Sequence, residues 1–100
     1  MYVDDLAHAC EFFLNKNCKH DLINIGSGQE QTIENYCKYI LKKFKSNLKI
    51  KFDKSKPNGT PRKLLDTRLA NSYGWKPKYN LEKGFDLTLK DFIENKKYLN

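Results

Sequence analysis

Gly26-Ser27-Gly28 follows a short apolar run and precedes a helical one. In that setting glycines let a phosphate approach backbone N–H groups at the positive end of a helix. Asp53, which closes a second apolar run, stands where an acid could meet a ribose. The third glycine of a G-x-G-x-x-G fingerprint, which permits tight helix-to-strand packing, is replaced here by Gln31, so a plain strand-to-helix turn is the better reading of the segment. A second cluster is the loop from Asp53 to Lys63, with Lys54, Lys56, Arg62 and Lys63 on a stretch stiffened by Pro57 and Pro61 and opened by Gly59. An arginine can fork two hydrogen bonds onto a diphosphate and a lysine adds a point charge. Asn58 and Thr60 could then meet sugar hydroxyls. The competing reading is a solvated surface loop ordered by its prolines.

Other chemistry is thinly represented. Spacing places neither His8 nor His20 beside a Ser or Cys, and Asp4-Asp5 reads as the acidic start of a helix. Cys18-Lys19-His20 offers two ligand types without a partner cluster and reads as a turn, not a metal site. Cys10 and Cys37 fall on apolar helical positions and are expected in the core. Tyr73 and Trp75 beside Lys76 and Lys78 could stack a base, or could simply pack at the end of a helix. No catalytic residue and no metal ligand is assigned.

The elements that must position these residues follow from periodicity. Leu6, Ala9, Cys10, Phe13 and Leu14 predict a helix over Asp4–Leu14. The run Leu22 to Ile25 reads as a strand apolar on both faces, and Leu48 to Phe52 as a strand with one wet face. Between them Thr32 can cap a helix carrying Ile33, Tyr36, Cys37, Ile40, Leu41 and Phe44 on one stripe. Strand, helix and strand together predict a right-handed βαβ unit. Asp66 or Thr67 can cap a short helix reaching Tyr73, with Gly74 ending it and Pro77 forbidding continuation. Leu81 to Asn95 is a terminal amphipathic helix in which Gly84 implies close approach of another backbone. The fold class expected is α/β, with three to four helices and two to three short strands.

Four motifs in order resemble the C-terminal part of the GDP-L-fucose synthase family of extended short-chain dehydrogenase/reductases. They are Met1-Tyr-Val-Asp-Asp-Leu-Ala7; Ile23-Asn-Ile-Gly-Ser-Gly28 with Thr32-Ile33; Ser55-Lys-Pro-Asn-Gly-Thr-Pro-Arg-Lys-Leu-Leu-Asp66; and Gly74-Trp75. The resemblance implies that residues 1–100 are the substrate-side portion of an epimerase-reductase that makes GDP-L-fucose from GDP-4-keto-6-deoxy-mannose. It implies NADP(H) as cofactor of the intact enzyme and none bound by this chain alone, because the Rossmann glycines, the Ser-Tyr-Lys machinery and the epimerising Cys/His pair are not among these residues. The partners implied are a GDP-sugar, a missing or separate Rossmann half and, for the intact enzyme, a second copy as homodimer. By the same resemblance Lys63, with Arg62 beside it, would hold phosphate. Asn58 stands where the family presents an Asp, so it keeps an acceptor but not the charge.

One hundred residues with net charge +7 suffice for one small domain. Such a chain buries only about 60–65% of its unfolded surface, so a missing neighbour would be felt. Lysine supplies most of the charge along the whole length and favours an anionic ligand. The alternative to a sugar-nucleotide site is a small basic nucleic-acid-binding or interaction module. No run approaches the roughly 20 apolar residues of a membrane helix. Three cysteines without C-x-x-C spacing suggest no disulfide framework. The expectation is a cytoplasmic chain with neither membrane nor nucleic acid as partner.

Overall fold

The computed structural model describes residues 1–95. It contains helices α1 (Val3–Leu14), α2 (Ile33–Lys43), α3 (Arg68–Ser72) and α4 (Leu81–Glu94). The chain divides into two compact units, one made of Met1–Gly28 with the chain from Leu65 onward, the other of Gln29–Leu64.

In the first unit α1 buries Ala9 and Asp5, and Phe12 and Phe13 pack beside Ala9 against Ala70 and Trp75. The buried stripe is therefore 5, 9, 12 and 13. Of the expected stripe, Ala9 and Phe13 face the core, but Leu6, Cys10 and Leu14 do not: Leu14 is 86% exposed and Cys10 also faces outward. The cause is Asp5. Its carboxylate accepts the Lys78 N–H at 2.7 Å and the Tyr79 N–H at 3.2 Å. Those bonds turn the Asp5 side of the helix inward, and Cys10, about 100° round from Ala9, is left outside.

α3 ends as its sequence predicts. The Gly74 N–H donates to Asn71 O at 2.9 Å and the Trp75 N–H to Ala70 O at 3.1 Å, with Gly74 at φ 97°. This pairing satisfies the last carbonyls and delivers Trp75 onto Ala70, so one turn both stops the helix and builds the core. At the other end it is Asp66 that accepts the Arg68 N–H, at 3.0 Å, while the Thr67 side chain makes no capping bond. Thr67 is instead buried against Gly26 and Gly28: added Cβ atoms there would lie 3.4 Å from its Cγ2 and its Oγ1 respectively.

α4 starts at Asn80, whose side chain accepts the Lys83 N–H at 2.9 Å. The close approach expected at Gly84 occurs, but to a side chain and not to a backbone: the Tyr2 Cβ would stand 2.9 Å from a Cβ added to Gly84. Neither the Cβ of Tyr2 nor the helix backbone can yield cheaply. Gly84→Ala is thus expected to lower stability by about 1–3 kcal/mol, read as an earlier urea midpoint; an unchanged midpoint would show that the contact is loose.

In the second unit Thr32 Oγ1 accepts the Asn35 N–H at 3.1 Å, as the capping expectation requires. Lys45, at φ 49°, ends α2, with the Ser46 N–H donating to Leu41 O at 2.9 Å. α2 buries no residue fully: Ile33 is 74% exposed, and Cys37 is half-buried where core burial was expected.

Neither expected strand forms among the described residues. The Leu22–Ile25 backbone pairs with no other segment; Ile23 and Ile25 lie against the core, while Leu22 is 80% exposed. Leu48 and Phe52 are likewise exposed. A strand is made by its ladder and not by alternation alone, so without a neighbouring backbone the βαβ unit is not realised.

Candidate functional site

The loop singled out for its cations lies wholly in the second unit. The Asp53 carboxylate turns back on the chain, accepting the Ser55 N–H at 3.0 Å and the Ser55 hydroxyl at 2.6 Å. Those two bonds, both to Oδ1, hold Asp53 below the usual carboxylate range and turn it back on its own loop. Every residue from Lys51 to Leu64 is exposed. Asn58 and Lys63 stand in solvent with no hydrogen bond or ion pair among the described residues. Arg62 is different: its Nη2 donates to Glu30 Oε1 at 2.5 Å and its Nε to Glu30 Oε2 at 3.3 Å.

Dividing the chain into its two units also corrects the expectation of evenly spread charge. Residues 29–64 carry ten Lys/Arg against three Asp/Glu, whereas the remainder carries nine of each. The whole net charge of +7 therefore belongs to the unit that bears the loop. Counting along the sequence hides this, because the neutral unit is built from two separate stretches whose nine acids offset its nine cations.

A concavity of about 500 Å³ exists in the first unit, lined by Leu22, Asn24, Asp66, Arg68 and Leu69. None of Asn58, Arg62 and Lys63 lines it. Its polar wall is an ion pair, with Arg68 Nε 3.0 Å from both Asp66 oxygens and Nη2 2.6 Å from Oδ2. The sequence marks Asp66 as a cap and leaves Arg68 unmarked, although the D-x-R spacing is a signal for the pair. Hydrogen bonds from Arg68 lower the Asp66 pKa from 3.8 to about 2. Because the folded value lies below the unfolded one, the pair's contribution is complete above about pH 4 and is lost as pH falls towards 2. A carboxyl NMR titration should place the Asp66 midpoint near 2 in the parent, with Arg68→Ala returning it to the ordinary aspartate range. A parent midpoint near 4 would contradict the pairing.

The remaining candidates have structural roles. Trp75 is 1% exposed, so it is core and not a stacking platform. The Tyr73 hydroxyl lies 2.7 Å from His20 Nδ1 and accepts the Lys19 N–H at 3.0 Å, tying the 19–20 turn to the end of α3. Among the described residues no group of three or more His, Cys, Asp or Glu side chains could hold a metal ion. No described helix is long and apolar enough to cross a membrane.

No family model matches the chain, and no solved structure matches it. Curated relatives do. GDP-L-fucose synthase 1 of Arabidopsis thaliana is 40% identical over 95 residues, covering 95% of this chain and 29% of the relative. GDP-L-fucose synthase of Escherichia coli is 38% identical over 96 residues, covering 95% and 29%. GDP-L-colitose synthase of Yersinia pseudotuberculosis is 39% identical over 97 residues, covering 96% and 32%. The chain spans about three-tenths of the length of these relatives. Agreement at this level, running through both units and the loop between Asp53 and Leu64, makes the chain a homologue of a C-terminal stretch of the GDP-L-fucose synthases.

Proposed function

We propose that this chain is the substrate-side portion of a GDP-L-fucose synthase-like epimerase-reductase. In this reading Lys63 and Arg62 meet the diphosphate of a GDP-sugar and Asn58 meets its nucleoside. The observation that carries the reading is the segregation of charge: the loop projects into solvent from a unit that holds the entire +7. A GDP moiety brings two to three negative charges, and forked and point cations on a stiff loop suit it.

The reading makes the chain catalytically incomplete. Family enzymes use NADPH, which this reading assigns to the cofactor-binding half; here Thr67 packs beside the Gly26-Ser27-Gly28 turn. Among the described residues three hydrophobic side chains are fully buried and fifteen large ones are exposed, which favours a cofactor-binding half as the natural cover and a homodimer as the assembled enzyme.

Calorimetric titration with GDP tests the site. The parent chain should bind one GDP, and Arg62→Ala with Lys63→Ala should weaken binding by roughly tenfold or more. Unaltered affinity in that double variant would refute the assignment. Segregated charge would also attract an oligonucleotide, and the two readings part on salt: an oligonucleotide complex should weaken with a log–log slope of several phosphates, a GDP complex with a shallow one.

A further inference from the structure

Arg62 is the loop cation best suited to a diphosphate, yet its fork already holds a carboxylate. Nε and Nη2, the two donors that a phosphate would take side-on, are both directed at Glu30. Glu30 lies 32 residues away in sequence, within the same unit. The Arg62 side chain is 70% exposed and that of Glu30 42%, so the pair stands in solvent, where ion pairs contribute little and exchange readily. A diphosphate that takes Arg62 side-on needs the two donors that Glu30 holds.

We propose that Glu30 is an internal competitor for the phosphate site, a tethered carboxylate that an incoming diphosphate has to displace from Arg62. The inference rests on the reading of the loop as the GDP site. It gives that site a selectivity the loop alone lacks. A monocarboxylate offers Arg62 nothing that Glu30 does not already supply at higher effective concentration, whereas a diphosphate brings further charge that Lys63 can share. Glu30 thereby discriminates against singly charged anions.

The test is a double-mutant cycle on the full chain, titrated with GDP and, separately, with inorganic pyrophosphate. Glu30→Gln keeps the side-chain shape and removes the charge. It should tighten both ligands by about threefold, in line with the weak coupling of exposed pairs. In an Arg62→Ala background the same change should have an effect near onefold. Glu30 is exposed, so circular dichroism should show every variant folded as the parent. Unchanged or weaker binding on Glu30→Gln, or an equal gain with Arg62 absent, would overturn the proposal. Lys63→Ala separates the two levels. If it weakens GDP while Glu30→Gln does not strengthen it, only the competitor role fails. If Lys63→Ala leaves GDP affinity intact, the loop is not the site and the role of Glu30 falls with it.

Discussion

Trp75→Ala is expected to cost about 3–5 kcal/mol and, in a unit with so small a core, to abolish its cooperative urea transition. Trp75 is the only large hydrophobic side chain in the described structure that is fully buried; it closes Ala9 and Ala70, with Phe12, Phe13, Ile23 and Ile25 around it. Alanine leaves a hole that the short α3 cannot fill, because the Gly74 turn that delivers Trp75 fixes the backbone there. The indole Nε1 has no hydrogen-bond partner among the described residues. Trp75→Phe should therefore be much milder: it loses volume but also removes a buried donor left unpaired. A loss in Trp75→Phe as large as that in Trp75→Ala would contradict this.

Asp5→Asn should cost about 2–3 kcal/mol. The carboxylate is fully buried and accepts two backbone N–H groups from the turn that leads into α4. An amide of the same shape keeps one acceptor but points its NH2 at the other N–H, so one donor is left facing a donor. The same loss should be seen by urea midpoint and by faster amide exchange at Lys78 and Tyr79. A midpoint within error of the parent would mean that the turn is held by packing alone. Asp4, exposed one residue earlier, supplies the control: Asp4→Asn removes an equal charge from the same helix start and should change stability little.

The helices were legible because their signals are local. Thr32 caps as its residue type predicts, and Gly74 stops α3 in the left-handed conformation that glycine allows. Gly84 announced a close approach without saying to what, and the answer, Tyr2, lies at the far end of the chain. Asp5 was illegible for the same reason. An acid in the first turn of a helix is ordinary, and nothing nearby in sequence marks one of two adjacent aspartates as the one that bonds Lys78 and Tyr79. The expected strands failed on a non-local requirement as well, since alternation at Leu48–Phe52 and the apolar run at Leu22–Ile25 say only that a partner backbone would be welcome. The loop of Asn58, Arg62 and Lys63 was visible from composition, but the engagement of Arg62 by Glu30 was not. Whole-chain charge likewise gave the sign of the ligand and missed its segregation.

Amide chemical-shift mapping during a GDP titration of the full chain locates the ligand residue by residue. The expected result is a saturable set of shifts confined to Lys54–Lys63 and Glu30, with Leu22, Asn24, Asp66, Arg68 and Leu69 unmoved. Shifts centred on those five residues, or no saturable shifts in the cationic loop, would contradict the assignment of the loop as the nucleotide-sugar contact.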